Sequence, residues 1–81
     1  MKNRIALIGI ILESKESAPK LNAILHDYRE YIIGRMGIPK AKENVAVISI
    51  VLDAPENIIS ALSGKIGMLP DVSVKTIYSK I

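Results

Sequence analysis

Two nearly uninterrupted apolar runs, Ile5–Leu12 and Val45–Leu52, dominate the chain. Short and rich in β-branched residues, each reads as a strand buried on both faces. Between them the period changes. Leu21, Ile24, Leu25, Tyr28 and Ile32 follow the i, i+3, i+4, i+7 rule and predict one apolar stripe of a helix. That helix should begin near Ser17, with Ser14 or Ser17 as cap and Pro19 tolerated in the first turn. Gly34–Ile38 predicts a short strand, because its two glycines would each cost a helix about 1 kcal/mol. The Lys-rich stretch Pro39–Asn44 predicts a loop. After the second run, Asp53-Ala54-Pro55-Glu56 has the form of a helix start, an Asp cap followed by an early Pro and a Glu that completes a capping box. Ile58, Ile59, Leu62 and Ile66 carry the second stripe and Gly67 stops it. Pro70-Asp71 predicts a turn, and Val72–Ser79 alternates as an edge strand.

The order is therefore βαββαβ, the split-βαβ or ferredoxin-like unit of an α+β protein. It predicts a four-stranded sheet in the order 4-1-3-2 with both helices on one face. Residues 1–81 are expected to form a single domain. Ile5–Leu12 is read as a strand rather than the apolar core of a signal peptide, since Glu13-Ser14-Lys15-Glu16 occupies the place of a small-residue cleavage site. A cytoplasmic location is expected, and no stretch approaches the length of a membrane span.

Helices on one side leave a sheet face to water, and that face should then be polar. Here both alternating sets are apolar. In the first strand Ala6, Ile8, Ile10 and Leu12 oppose Ile5, Leu7, Gly9 and Ile11; in the third, Ala46, Ile48, Ile50 and Leu52 oppose Val45, Val47, Ser49 and Val51. If the bulkier even sets form the core, Ile5, Leu7, Ile11, Val45, Val47 and Val51 remain on the open face. Covering six such side chains would contribute roughly 9–18 kcal/mol before association costs. A contiguous patch of this kind marks an interface. A homo-oligomer, dimer or tetramer, is the expected state.

Composition narrows the chemistry. Without cysteine there is no disulfide, thiolate metal site or thiol nucleophile. The net charge of +3 comes from scattered Lys and Arg with only three Tyr as aromatics, which is not the clustered footprint of a nucleic-acid binder. Arg35, Lys40 and Lys42 are the residues such binding would use. His26 is the one histidine. It falls on the outer side of its helix, in line with Asn22 and Glu30, and alone it does not make a transition-metal site. Gly34-Arg35-Met36-Gly37 is the most unusual local feature: strand glycines let a backbone or ligand approach closely, and Arg35 is available to an anion. A basic GXXG loop of the K-homology type would need helices on both sides. Ser63-Gly64-Lys65 lacks the earlier glycine of a phosphate loop, since position 59 is Ile. No catalytic constellation, cofactor site or metal site is predicted.

The strings LHDYREYIIGRMGIP (25–39), VISIVLDAPENIISALSGKIG (47–67) and VSVKTIYSK (72–80) resemble the small iron-only hydrogenase system regulators of anaerobic bacteria, over nearly the whole chain. The resemblance implies a fold similar to ACT domains and to the C-terminal sensing domain of the nickel-responsive repressor. It also implies a non-enzymatic regulatory role. On that reading a small effector would bind near Glu13, Ser14 and Ser17, or around Gly34, Arg35, Met36 and Gly37, with His26 and Glu30 as further effector or interface residues. A hydrogenase-system protein or a transcription factor would be the partner. The alternative is a ligand-free interaction subunit that assists metalloenzyme assembly. Two departures stand out. The turn after the first strand lacks the glycine usual in amino-acid-binding ACT domains. His26 alone cannot supply the several His and the Cys of the nickel repressor's site.

Overall fold

The computed structural model describes residues 2–80. Its elements are strand β1 (Asn3–Leu12), helix α1 (Ala18–Asp27), strands β2 (Ile32–Lys42) and β3 (Val45–Pro55), helix α2 (Glu56–Gly67) and strand β4 (Val72–Tyr78). One 3-10 turn, Lys15–Ser17, leads into α1 and another, Arg29–Tyr31, follows it. The sheet is antiparallel throughout, in the order β2-β3-β1-β4. This is the expected βαββαβ sandwich.

The even sets of the two central strands do form the core. Ala6, Ile8, Ile10 and Leu12 of β1, with Ile50, Leu52 and Ala54 of β3, are buried against Leu21 and Leu25 of α1 and Ile59, Leu62 and Ile66 of α2. The stripes read from periodicity are thus the faces that pack. Gly67 belongs to this interface: a Cβ there would lie 3.3 Å from Val74 Cγ1, so its bare backbone lets the end of α2 approach β4 closely. Two turn residues, Asn44 (φ 62) and Asp71 (φ 57), adopt the left-handed region. Both are types that tolerate it.

Three local expectations need correction. The stripe through Ile32 suggested a longer first helix, but α1 ends at Asp27, and Tyr28 leaves helical geometry at φ −107, ψ 13. Ile32 instead opens β2 and pairs with Leu52. It reaches the same core from a strand, which helical spacing could not distinguish. Second, β2 runs well past Ile38, and the predicted loop contracts to a turn at Glu43-Asn44. Pro39 is tolerated because β2 is an edge strand, and Lys40 and Lys42 blunt that edge. Third, Asp53 does not cap α2. It lies in β3 opposite Ile5, and Pro55 takes the N-cap position with no side-chain cap bond. No capping box forms. The Glu56 carboxylate turns to Arg4 Nη1 at 3.3 Å.

Candidate functional site

In an antiparallel sheet, paired residues share a face. Three rows can therefore be followed across the side away from the helices. Gly34, Val51, Leu7 and Ile77 form one row, Met36, Ser49, Gly9 and Lys75 the middle one, and Ile38, Val47, Ile11 and Ser73 the third. Ile5 extends the patch beside Asp53, and Val45 extends it beside Lys42. With the bulkier even sets in the core, Ile5, Leu7, Ile11, Val45, Val47 and Val51 all lie on this face, and the edge strands add Met36, Ile38 and Ile77.

These side chains are only partly open, because strand neighbours shade one another. Ile5, Leu7 and Ile11 are 43%, 38% and 44% exposed, and Met36, Ile38 and Ile77 are 61%, 46% and 64% exposed. Covering the first three would return about 0.6–1.3 kcal/mol each, well below the full transfer value. At the centre Gly9 and Ser49 leave a hollow of about 290 Å³ bordered by Ile11, Val47 and Lys75. No described residue requires that glycine: its φ is negative, and a Cβ would meet no described atom within 4 Å.

The glycine-arginine segment is split by the sheet. Between Ile32 and Gly34 the register slips by one at Ile33, a bulge that reverses the phase of the strand. Gly34 and Met36 consequently face the open side. Arg35, opposite Ile50, and Gly37, opposite Ile48, face the helix side. Arg35 Nη2 donates to Asn22 Oδ1 on α1 at 3.2 Å.

A seam therefore runs between α1 and β2. Its middle is a groove of about 290 Å³ floored by Leu12, Ala46 and Ile48 and walled by Leu21, Arg35 and Gly37. One end opens into a smaller cleft with Ser14, Lys15, Lys40 and Glu43. Beyond Arg35 a third cleft holds His26 and Arg29.

The other residues named from the sequence are placed less suggestively. Ser17 is buried at 2% exposure, at the N-cap position of α1, and its hydroxyl donates to the Pro70 carbonyl at 2.8 Å rather than to its own helix. Glu13 is exposed, and its backbone N–H donates to the Asp71 carbonyl. The His26–Glu30 alignment assumed a continuing helix. Because α1 stops at Asp27, Glu30 falls in the following 3-10 turn. The His26 carbonyl accepts from Arg29 Nη1 at 2.8 Å. Among the described residues no three His, Cys, Asp or Glu converge to hold a metal ion, and no helix is long and apolar enough to cross a membrane. Helical spacing puts Asn22 in line with His26 but gives it no role. Only its partner across the seam reveals it.

A family model described as "TM1266-like: Iron-only hydrogenase system regulator, putative" matches residues 4–76. The solved structure of the uncharacterized protein TM1266 from Thermotoga maritima is 39% identical, with a TM-score of 0.90 over 98% of this chain and 100% of that one. A formyltetrahydrofolate deformylase from Pseudomonas putida KT2440 is 9% identical, with a TM-score of 0.63 over 90% of this chain but 28% of its own. CPII from Thiomonas intermedia K12, solved with ADP, AMP and acetate, is 19% identical, with a TM-score of 0.51 over 100% of this chain and 94% of its own. The last two likenesses concern the fold alone. No curated protein matches.

Proposed function

Because the chain belongs to the TM1266-like family, described as regulators of the iron-only hydrogenase system, we propose that it is a regulatory rather than catalytic protein that acts as a homo-oligomer. The observation that supports self-association is the uncovered sheet face. Its aliphatic rows are continuous from Ile38 to Ile11 and from Val51 to Ile77; of its charged side chains Lys42 and Asp53 lie at the margins, and Lys75, on the edge strand β4, borders the central hollow. A second copy offers the same apolar rows in return, as an isologous contact requires. The exposed parts of Ile5, Leu7, Ile11, Met36, Ile38 and Ile77 amount to about three whole aliphatic side chains, or roughly 4.5–9 kcal/mol. That is of the order of the association cost itself, so burial of Val45, Val47 and Val51 and filling of the Gly9 hollow would decide how tight the assembly is.

Pairing through this face leaves the α1–β2 seam open to a small effector, because the seam lies on the helix side. The regulatory reading is tested in a host that carries an iron-only hydrogenase. Deleting the coding sequence should change hydrogenase transcript level or hydrogenase activity in extracts, and restoring it should reverse the change. Both quantities unchanged would sink the reading.

A further inference from the structure

The geometry points to the groove between α1 and β2 as a binding site for a small organic carboxylate with an apolar body. This inference rests on the regulatory reading above and names the class of its effector.

Arg35 carries the recognition. It is exposed, and its one described hydrogen bond is to the neutral Asn22 amide. No carboxylate of the described residues lies within ion-pair distance of it. A guanidinium has five donors in a planar fork, so most remain available, and that fork matches a carboxylate in a bidentate pair. The bond to Asn22 holds one edge of the group toward the groove.

The apolar half of the site lies next to it. Leu12, Ala46 and Ile48 floor the groove and Leu21 forms part of the wall. Gly37 sits on the same face, opposite Ile48. Its φ is negative and a Cβ there would meet nothing within 4 Å, so neither backbone geometry nor packing requires glycine. A glycine inside a strand lowers stability, and the open space it leaves lies over the groove floor. Lys15 and Lys40 at the adjoining cleft outnumber Glu43 there, so the surrounding field favours an anion. A volume of about 290 Å³ is at the small end for ligand pockets, which favours a short-chain acid over a nucleotide.

The test is a two-dimensional 15N–1H NMR titration of the full chain at constant ionic strength, with hexanoate, hexylammonium, hexanol and inorganic phosphate as probes. Hexanoate should saturably shift the amides of Leu21, Asn22, Gly37 and Ala46. It should bind at least tenfold more tightly than the other three. Arg35→Met should weaken hexanoate at least tenfold while leaving the remaining spectrum in place. Gly37→Val, which projects over the groove floor and raises strand propensity, should abolish the shifts in a folded protein. Equal binding of hexylammonium or hexanol, hexanoate affinity unaltered in Arg35→Met, or phosphate binding as well as hexanoate would each overturn the assignment. Absence of any saturable shift would do so too. Such a failure would remove the ligand class alone, because the gene-deletion experiment reads the regulatory role independently.

Discussion

Gly9 lies directly opposite Ser49 across the β1–β3 ladder, at the centre of the one sheet face that no helix covers. Two small residues in the middle of aliphatic rows create a hollow, and no described residue fills it. This pair separates two demands on the sequence. Folding alone would favour a β-branched residue at position 9, whereas close contact with another molecule favours none.

Replacing Gly9 by Val should therefore stabilise the isolated fold by about 0.5–1 kcal/mol while weakening self-association. Urea denaturation of dilute protein checks the first effect and sedimentation velocity at micromolar concentration the second. Leu7→Asp should give a monomer, since it sets a charge between Val51 and Ile77. A wild-type chain that sediments as a monomer across this range would end the face-pairing reading.

Ser17 should act on stability and not on ligand binding. Its hydroxyl holds the Pro70 carbonyl in a buried position, joining the start of α1 to the turn before β4. Ser17→Ala should cost about 1–3 kcal/mol by leaving that carbonyl without its partner. Hexanoate shifts in the α1–β2 groove should be unchanged. A Ser17→Ala protein of full stability would show the bond to be unimportant.

Gly64 and Gly67 of α2 should respond oppositely to alanine. At Gly64 a Cβ meets nothing within 4 Å, so Gly64→Ala should gain about 0.5–1 kcal/mol from helix propensity. At Gly67 the new methyl would press on Val74 Cγ1 at 3.3 Å, and Val is stiff about χ1. Gly67→Ala should gain nothing or lose stability, whereas the same change made in a Val74→Ala background, and compared with that single variant, should show the propensity gain. Equal effects at the two sites, measured by thermal or urea unfolding, would contradict the packing described for the end of α2.

Arg4 should matter more than its ion-pair partner. Glu56 is 60% exposed, and an exposed pair of this kind contributes about 0–1 kcal/mol. Arg4 also donates to the Ser79 carbonyl and sits 4.8 Å from the centre of the Tyr78 ring. Glu56→Gln should cost at most about 0.5 kcal/mol, lost in high salt. Arg4→Ala should cost about 1–2 kcal/mol, largely retained in high salt because packing on Tyr78 is lost as well. A double-mutant cycle with and without added salt would check both.

Much of this was legible along the chain. Alternation in β1 and β3 divided each strand into two apolar sets, side-chain bulk favoured the even ones as core, and helical spacing picked out Leu21, Leu25, Ile59, Leu62 and Ile66. The misreadings share one cause. Ile32, Asp53 and Pro39–Lys42 sit where local signals suit more than one element, and pairing with a distant strand decided among them. Ile32 fits the stripe of α1 as well as a strand. Asp53 resembles a cap until Ile5 pairs with it. Pro39 looks like a loop residue unless the strand is known to lie at an edge.

The sequence by itself determined the order of elements and the aliphatic character of both sheet faces, because these follow from side-chain periodicities of two and 3.6, and the one-sided helical cover follows from that order. Tertiary structure alone decided which way Arg35 and Gly37 point. The bulge at Ile33 inverts the phase of β2, and a slip of one residue sends every following side chain to the other face. That step turned the segment toward Asn22 and α1. It comes from fitting β2 against β3, a contact that periodicity within β2 does not encode.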